Sequence, residues 1–181
     1  MKNLHVVFSH GKASGPWGMK IRTLAGVARR LGGQVTSDDY RALPEEESHG
    51  EQSLLAQAQG RVAQLLAIEP LAPRRLVLVG SSMGGYVSAA ASARLDVAGL
   101  FLLAPAFFPD VQASRNPAPV ARRVEMVHGW SDAVVPVQSS IDFARRHRCE
   151  LHLVDADHGL HAALPRIEVL FELFLRQVIS T

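Results

Sequence analysis

Apolar positions along this chain follow two alternating rhythms. Leu4-His5-Val6-Val7-Phe8 is a short, nearly continuous apolar run that stops at Ser9-His10-Gly11, which predicts a buried strand. Ile21, Leu24, Ala25, Ala28 and Leu31 then recur at helical spacing, predicting a helix over 19–31 that Gly32-Gly33 ends. Gln34 to Ser37 reads as a short strand. Leu55, Ala58, Val62, Leu65 and Leu66 mark a second amphipathic helix, closed by Pro70. Leu76 to Val79 is again a continuous apolar run, followed by the small-residue run Gly85 to Ala91. Val97 to Leu103, Val124 to Val127 and Leu151 to Val154 predict three further strands. Between the last two, a helix is predicted over 137–147. Leu164, Ile167, Phe171, Phe174, Leu175 and Val178 define a long final helix.

Continuous apolar strands alternating with amphipathic helices predict an α/β protein: a three-layer α/β/α sandwich around a mostly parallel sheet of about six strands, buried on both faces. With 181 residues and no repeat or linker, one domain over 1–181 is expected. Ligands of such sheets bind at the carboxyl ends of the strands, so the chemistry is sought there.

Composition narrows the function classes. Hydrophobic residues at 48% and charged residues at 20% exclude a disordered chain. The net charge of +2 comes from scattered arginine pairs without interleaved aromatics, so no nucleic-acid partner is expected. The single cysteine, Cys149, cannot form an internal disulfide and reads as a buried structural thiol at the start of a strand. No Cys/His spacing suits a metal, and no cofactor is expected. The apolar run at the N-terminus is too short for a signal peptide, and no stretch approaches membrane-spanning length. A soluble, cytoplasmic protein without a membrane partner is the expectation. A homodimer is left open.

Gly80-Ser81-Ser82-Met83-Gly84 is the most informative segment. It matches G-x-S-x-G, with an apolar strand before it and a helix of small residues after it, the setting a nucleophile elbow needs. Ser82 is the candidate nucleophile, placed where the free N–H groups of a helix start favour negative charge. The other candidates fall at the ends of other strands. Asp132, in His128-Gly129-Trp130-Ser131-Asp132-Ala133-Val134-Val135-Pro136, is the candidate acid, ahead of Asp110 and Asp155. In Asp157-His158-Gly159-Leu160-His161, His158 in the loop is the candidate base, ahead of His161 in the next helix. The backbone N–H groups of Met83 and Lys12 are the expected oxyanion donors. His10, Trp17, Phe107, Phe108 and Trp130 are candidates for the substrate pocket, although each aromatic could equally serve the core. His10 and His128 read as structural loop histidines, His5 and His152 as structural strand residues, and His49 and His147 as exposed.

Phe8-Ser9-His10-Gly11, the elbow, His128 to Pro136 and Asp157-His158-Gly159 together resemble the α/β-hydrolase superfamily, in its order of serine, acid, histidine. The resemblance covers nearly the whole chain and is closest to small microbial esterases and dienelactone-hydrolase-like proteins. It implies Ser82 as nucleophile, Asp132 as acid and His158 as base. Two departures from the family pattern are expected: the usual antiparallel first hairpin is missing, and no lid-sized insertion follows Val97 to Leu103. The expected function is a serine hydrolase cleaving carboxylic esters or thioesters of small or medium acyl groups through an acyl-enzyme. An amidase or peptidase using the same chemistry, and a non-catalytic binding or scaffold protein keeping the fold, are the competing readings.

Overall fold

The structure is a computed structural model that describes residues 4–43, 51–68 and 75–180. Six strands form one all-parallel sheet: β1 (Leu4–Ser9), β2 (Gln34–Ser37), β3 (Arg75–Ser81), β4 (Val97–Leu103), β5 (Val124–Gly129) and β6 (Glu150–Val154), in the spatial order β2-β1-β3-β4-β5-β6. Five helices connect them: α1 (Met19–Arg30), α2 (Glu51–Leu66), α3 (Met83–Ser92), α4 (Val137–His147) and α5 (Leu164–Ser180). Pro70, read as the end of α2, and His49 lie outside the described residues.

The strands read as continuous apolar runs because both faces of the sheet are covered. Alternate residues serve opposite faces. Val6, Phe8, Phe101 and Leu103 pack with α1 and α5, where Phe101 meets the rings of Phe171 and Phe174 at centroid distances of 5.0 and 5.2 Å. Val7, Leu78, Leu100, Leu102 and Met126 pack on the other face with Leu65, Val87 and Phe143 of α2, α3 and α4. Each large side chain so enclosed contributes roughly 1.5–3 kcal/mol of transfer free energy.

The winding reverses between β1 and β3. From β1 the chain moves outward to β2, then crosses back to β3 and continues the other way. The loops leaving β1 and β3 therefore diverge, and a crevice opens beyond their carboxyl ends.

Among the described residues no lid covers that crevice. The connection from β4 to β5 carries one short 3-10 segment, Asp110–Arg115. It is stapled down by three hydrogen bonds: the Asn116 side chain accepts from the Phe108 N–H at 2.8 Å and donates to the Phe108 carbonyl at 2.9 Å, and the Tyr86 hydroxyl donates to the Arg115 carbonyl at 2.9 Å. This segment and a 3-10 turn at Tyr40–Ala42 have no apolar periodicity, and the sequence pattern missed both.

Two expectations about individual residues are corrected. His147 is half-buried, its ring 4.5 Å from that of Phe143, rather than exposed. Cys149 is half-buried, just before β6, and its partial burial pushes the thiol up to about 11. His5 and His152 do hold structural bonds, to Thr36 Oγ1 at 2.8 Å and to Glu125 Oε2 at 3.3 Å. Among the described residues no helix is long and apolar enough to cross a membrane.

Candidate active site

Ser82 joins β3 to α3 with φ 55° and ψ −122°, a conformation that non-glycine residues rarely hold. Three backbone bonds enforce it. The Ser82 N–H donates to the Leu103 carbonyl at 2.9 Å, and the Ser82 carbonyl accepts from the N–H groups of Gly85 and Ala106 at 2.8 and 3.0 Å. The flanking glycines are required by space. A β-carbon at Gly80 would run into the Gly84 carbonyl, and one at Gly84 into the Ser9 carbonyl.

His158 reaches Ser82 from the far side. Leu160, fully buried, anchors the loop after β6, and its N–H donates to the Asp157 carbonyl at 3.1 Å. The His158 Nε2 lies 3.0 Å from Ser82 Oγ, and its Nδ1 lies 2.7 Å from Asp132 Oδ2. His161 is exposed and makes neither contact. Asp155 is exposed as well, and the Asp110 side chain lies outside the described residues.

The Asp132 carboxylate has no solvent exposure. Its Oδ1 accepts from the N–H groups of Val134 and Val135, each at 2.8 Å. Burial alone would raise its pKa. The bonds from Val135, His158 and Val134 outweigh burial and hold the carboxyl below its ordinary value. The acid turn is tied to the loop of His158 by backbone bonds from Trp130 to Val154 at 2.9 Å and from Ser131 to Ala156 at 3.1 Å.

A second imidazole, which sequence reasoning assigned only a loop role, also meets this carboxylate. His128 is fully buried, and its Nε2 lies 3.0 Å from Asp132 Oδ2 and 3.1 Å from the Val135 carbonyl. Both neighbours are acceptors, so Nε2 carries the proton, and Nδ1 accepts from the Ser140 hydroxyl at 2.7 Å. Burial lowers the His128 pKa, which keeps the ring neutral. The available signal was its place, four residues before the acid at the end of an apolar strand.

The loop after β1 closes the remaining side. A β-carbon added at Gly11 would sit 3.3 Å from Ser82 Cβ, which puts this backbone against the nucleophile candidate. His10 is fully buried beneath it. Its Nδ1 donates to the Gly11 carbonyl at 2.7 Å and its Nε2 accepts from the Tyr40 N–H at 3.1 Å, so both ring nitrogens are occupied. Arg61 of α2, also buried, donates to the His10 carbonyl at 3.2 Å, and its guanidinium lies 5.1 Å from the centre of the Tyr40 ring. Nothing in the α2 apolar stripe announces this buried cation. The Met83 N–H is the first of α3 and so has no acceptor within the helix.

Two clefts meet at Ser82. One encloses about 480 Å³ and is lined by Leu54, Ala58, Met83, Tyr86, Phe107 and Phe108, among others. The other encloses about 400 Å³ and is bordered by Lys12, Lys20, His158 and His161 together with the His10-Gly11 loop. Phe107 and Phe108 are therefore walls, although Phe107 also stacks on Phe143 at 3.9 Å. Trp17, 40% exposed under the Arg29 guanidinium, and Trp130, 57% exposed, line neither of these two clefts.

The model of the uncharacterised protein family UPF0227 matches residues 5–116. A protein from Xanthomonas campestris pv. campestris, described as a hydrolase of the alpha/beta superfamily, is 30% identical over 96% of this chain and 98% of its own, with a TM-score of 0.82. The chain belongs to UPF0227, within the α/β-hydrolase superfamily. Two more distant structures share the fold of this superfamily member. Est1E from Butyrivibrio proteoclasticus is 16% identical, with a TM-score of 0.74 over 99% of this chain and 90% of its own. An α/β serine hydrolase without lid from Xanthomonas campestris is 21% identical, with a TM-score of 0.70 over 97% of this chain and 82% of its own. No curated protein sequence matches this chain.

Proposed function

We propose that the protein is a serine hydrolase that cleaves carboxylic esters or thioesters through an acyl-enzyme. The observation that carries this reading is the continuous hydrogen-bond chain from Ser82 Oγ through His158 to Asp132. Neutral imidazole accepts the Ser82 proton as Oγ attacks the carbonyl carbon, and Asp132 stabilises the imidazolium that forms. The Met83 and Lys12 N–H groups receive the oxyanion. His158 then returns the proton to the leaving oxygen or sulfur, and the same base activates the water that releases the acid. The superfamily's hydrolases support the reading.

A fluorophosphonate probe tests it. Ser82 should be labelled, and Ser82→Ala should abolish both labelling and ester turnover, a loss on the order of a millionfold for a nucleophile of this kind. Asp132→Asn and His158→Ala should each cut turnover by at least a thousandfold, and His161→Ala far less. An unlabelled wild-type protein would favour a non-catalytic scaffold.

A further inference from the structure

The two clefts are not equivalent to an acyl-transfer reaction. The leaving atom must accept a proton from His158 Nε2, so the leaving group lies in the cleft that contains His158. The other cleft, floored by Met83 and walled by Phe107, Phe108 and Tyr86, then holds the acyl group. This assignment rests on the hydrolase reading above.

The leaving-group cleft carries a charge pattern that an uncharged alcohol does not use. Lys20, at the start of α1, and Lys12 both border it, and no described carboxylate does. The Lys20 ammonium donates to the His158 carbonyl at 3.5 Å, a long bond that leaves two of its three hydrogens free of described partners. Neither lysine forms an ion pair with a described residue. Asp132 and Asp157 favour the Lys20 charge only through space: Asp132 Oδ1 and Oδ2 accept from two N–H groups, His128 and His158, and Asp157 accepts from the Leu160 N–H at 3.2 Å. A half-buried ammonium with no carboxylate in ion-pair contact, facing a cleft of about 400 Å³ that no described carboxylate lines, favours an anion brought in by the ligand.

We infer that this cleft takes a leaving group bearing an anion, with Lys20 as its main counter-ion and Lys12 assisting at the junction of the clefts. The substrate class is an ester of an apolar carboxylic acid with a hydroxy compound that carries a carboxylate or a phosphate.

Three butyryl esters provide the test, made with para-hydroxybenzoate, para-hydroxyphenyl phosphate and para-hydroxybenzamide. Each kcat/KM is divided by that ester's rate with hydroxide, which removes differences in leaving-group reactivity. At least one anionic ester should exceed the neutral amide by about tenfold or more, the size of one charge-assisted contact. The larger of the two ratios tells carboxylate from phosphate. Lys20→Met should bring the ratio to near one, Lys20→Arg should keep most of it, and Lys12→Met should reduce it partly. Because the readout is a ratio within each variant, a general loss of activity cancels. Equal rates in the wild type, or a ratio that survives Lys20→Met, overturn the inference. If the neutral ester is hydrolysed and Ser82 is labelled while the ratio is one, the hydrolase reading stands and only the anion subsite falls. If there is neither labelling nor hydrolysis, both fall.

Discussion

His128 and His158 both direct an imidazole nitrogen at the same oxygen of Asp132, at 3.0 and 2.7 Å. With Val134 and Val135 on the other oxygen, the carboxylate accepts four bonds and has no room to rotate. On the proposed reading, His128 is thus a positioning residue for the acid, Asp132. His128→Leu removes one donor from a buried charge and strands the Ser140 hydroxyl, at a cost of about 2–3 kcal/mol in stability. His128→Gln, which can still donate from its amide, should recover most of that loss. In ester kinetics the leucine variant should lower kcat with little change in KM. Urea unfolding and steady-state kinetics on the two variants check this.

The same ring makes stability depend on pH. Burial lowers the His128 pKa in the folded protein, whereas the unfolded value is about 6.5. Below about 6.5 the unfolded chain therefore binds more protons, and stability falls as pH falls towards the lowered folded value. His10 and His147 are lowered by burial too and act in the same direction. Asp132, held below its ordinary value, adds stability that persists above about 3.9 and is lost at more acid pH, as the pH falls through its folded value. His128→Gln should flatten the slope of unfolding free energy between about pH 5 and 6.5 without abolishing it. A parallel slope in wild type and variant would mean that His128 does not titrate on unfolding.

Strain at Ser82 gives a prediction that separates backbone from side chain. Ser82→Gly and Ser82→Ala both delete the hydroxyl, but only glycine relieves the positive φ of 55°. The glycine variant should be the more stable of the two by about 1 kcal/mol, roughly 2–4 °C in Tm for a chain of this size. Thermal denaturation of the pair decides it. Equal melting temperatures would show that the elbow conformation costs nothing in this fold.

The apolar cleft should set the acyl length. Leu54, 39% exposed, borders its wall from α2. Leu54→Trp puts a larger side chain at that edge. It should reduce kcat/KM for a hexanoyl ester by about tenfold relative to an acetyl ester, whose short chain stays near Ser82. A uniform loss on both esters would place the acyl chain elsewhere.

Most of the fold was legible because each strand is buried on both faces and each helix on one. The runs Val97–Leu103 and Val137–His147 match the observed elements residue for residue. Where the pattern erred, the cause is local. The Tyr40–Ala42 turn is fixed by the Asp39 side chain accepting from the Arg41 N–H, a bond no periodicity announces. The candidate site residues were found because turn chemistry at strand ends is visible in sequence. Contacts that cross the sheet edge were not, so the convergence of Arg61 and Tyr40 on His10 went unseen. So did the approach of Lys20 to His158. That Trp17 and Trp130 line neither cleft at Ser82 was illegible for a related reason: an aromatic residue in a loop carries no sign of the direction it faces.

Two of the three bonds that hold Ser82 in its unusual conformation come from Leu103 and Ala106, at the root of the segment that supplies Phe107 and Phe108 to the apolar cleft. On the proposed reading, selectivity and nucleophile pose share one hinge. An engineer exchanging this segment between relatives to alter acyl preference would have to graft downstream of Ala106 and leave residues 103–106 in place. A graft that includes them would trade a new pocket for a misdirected serine.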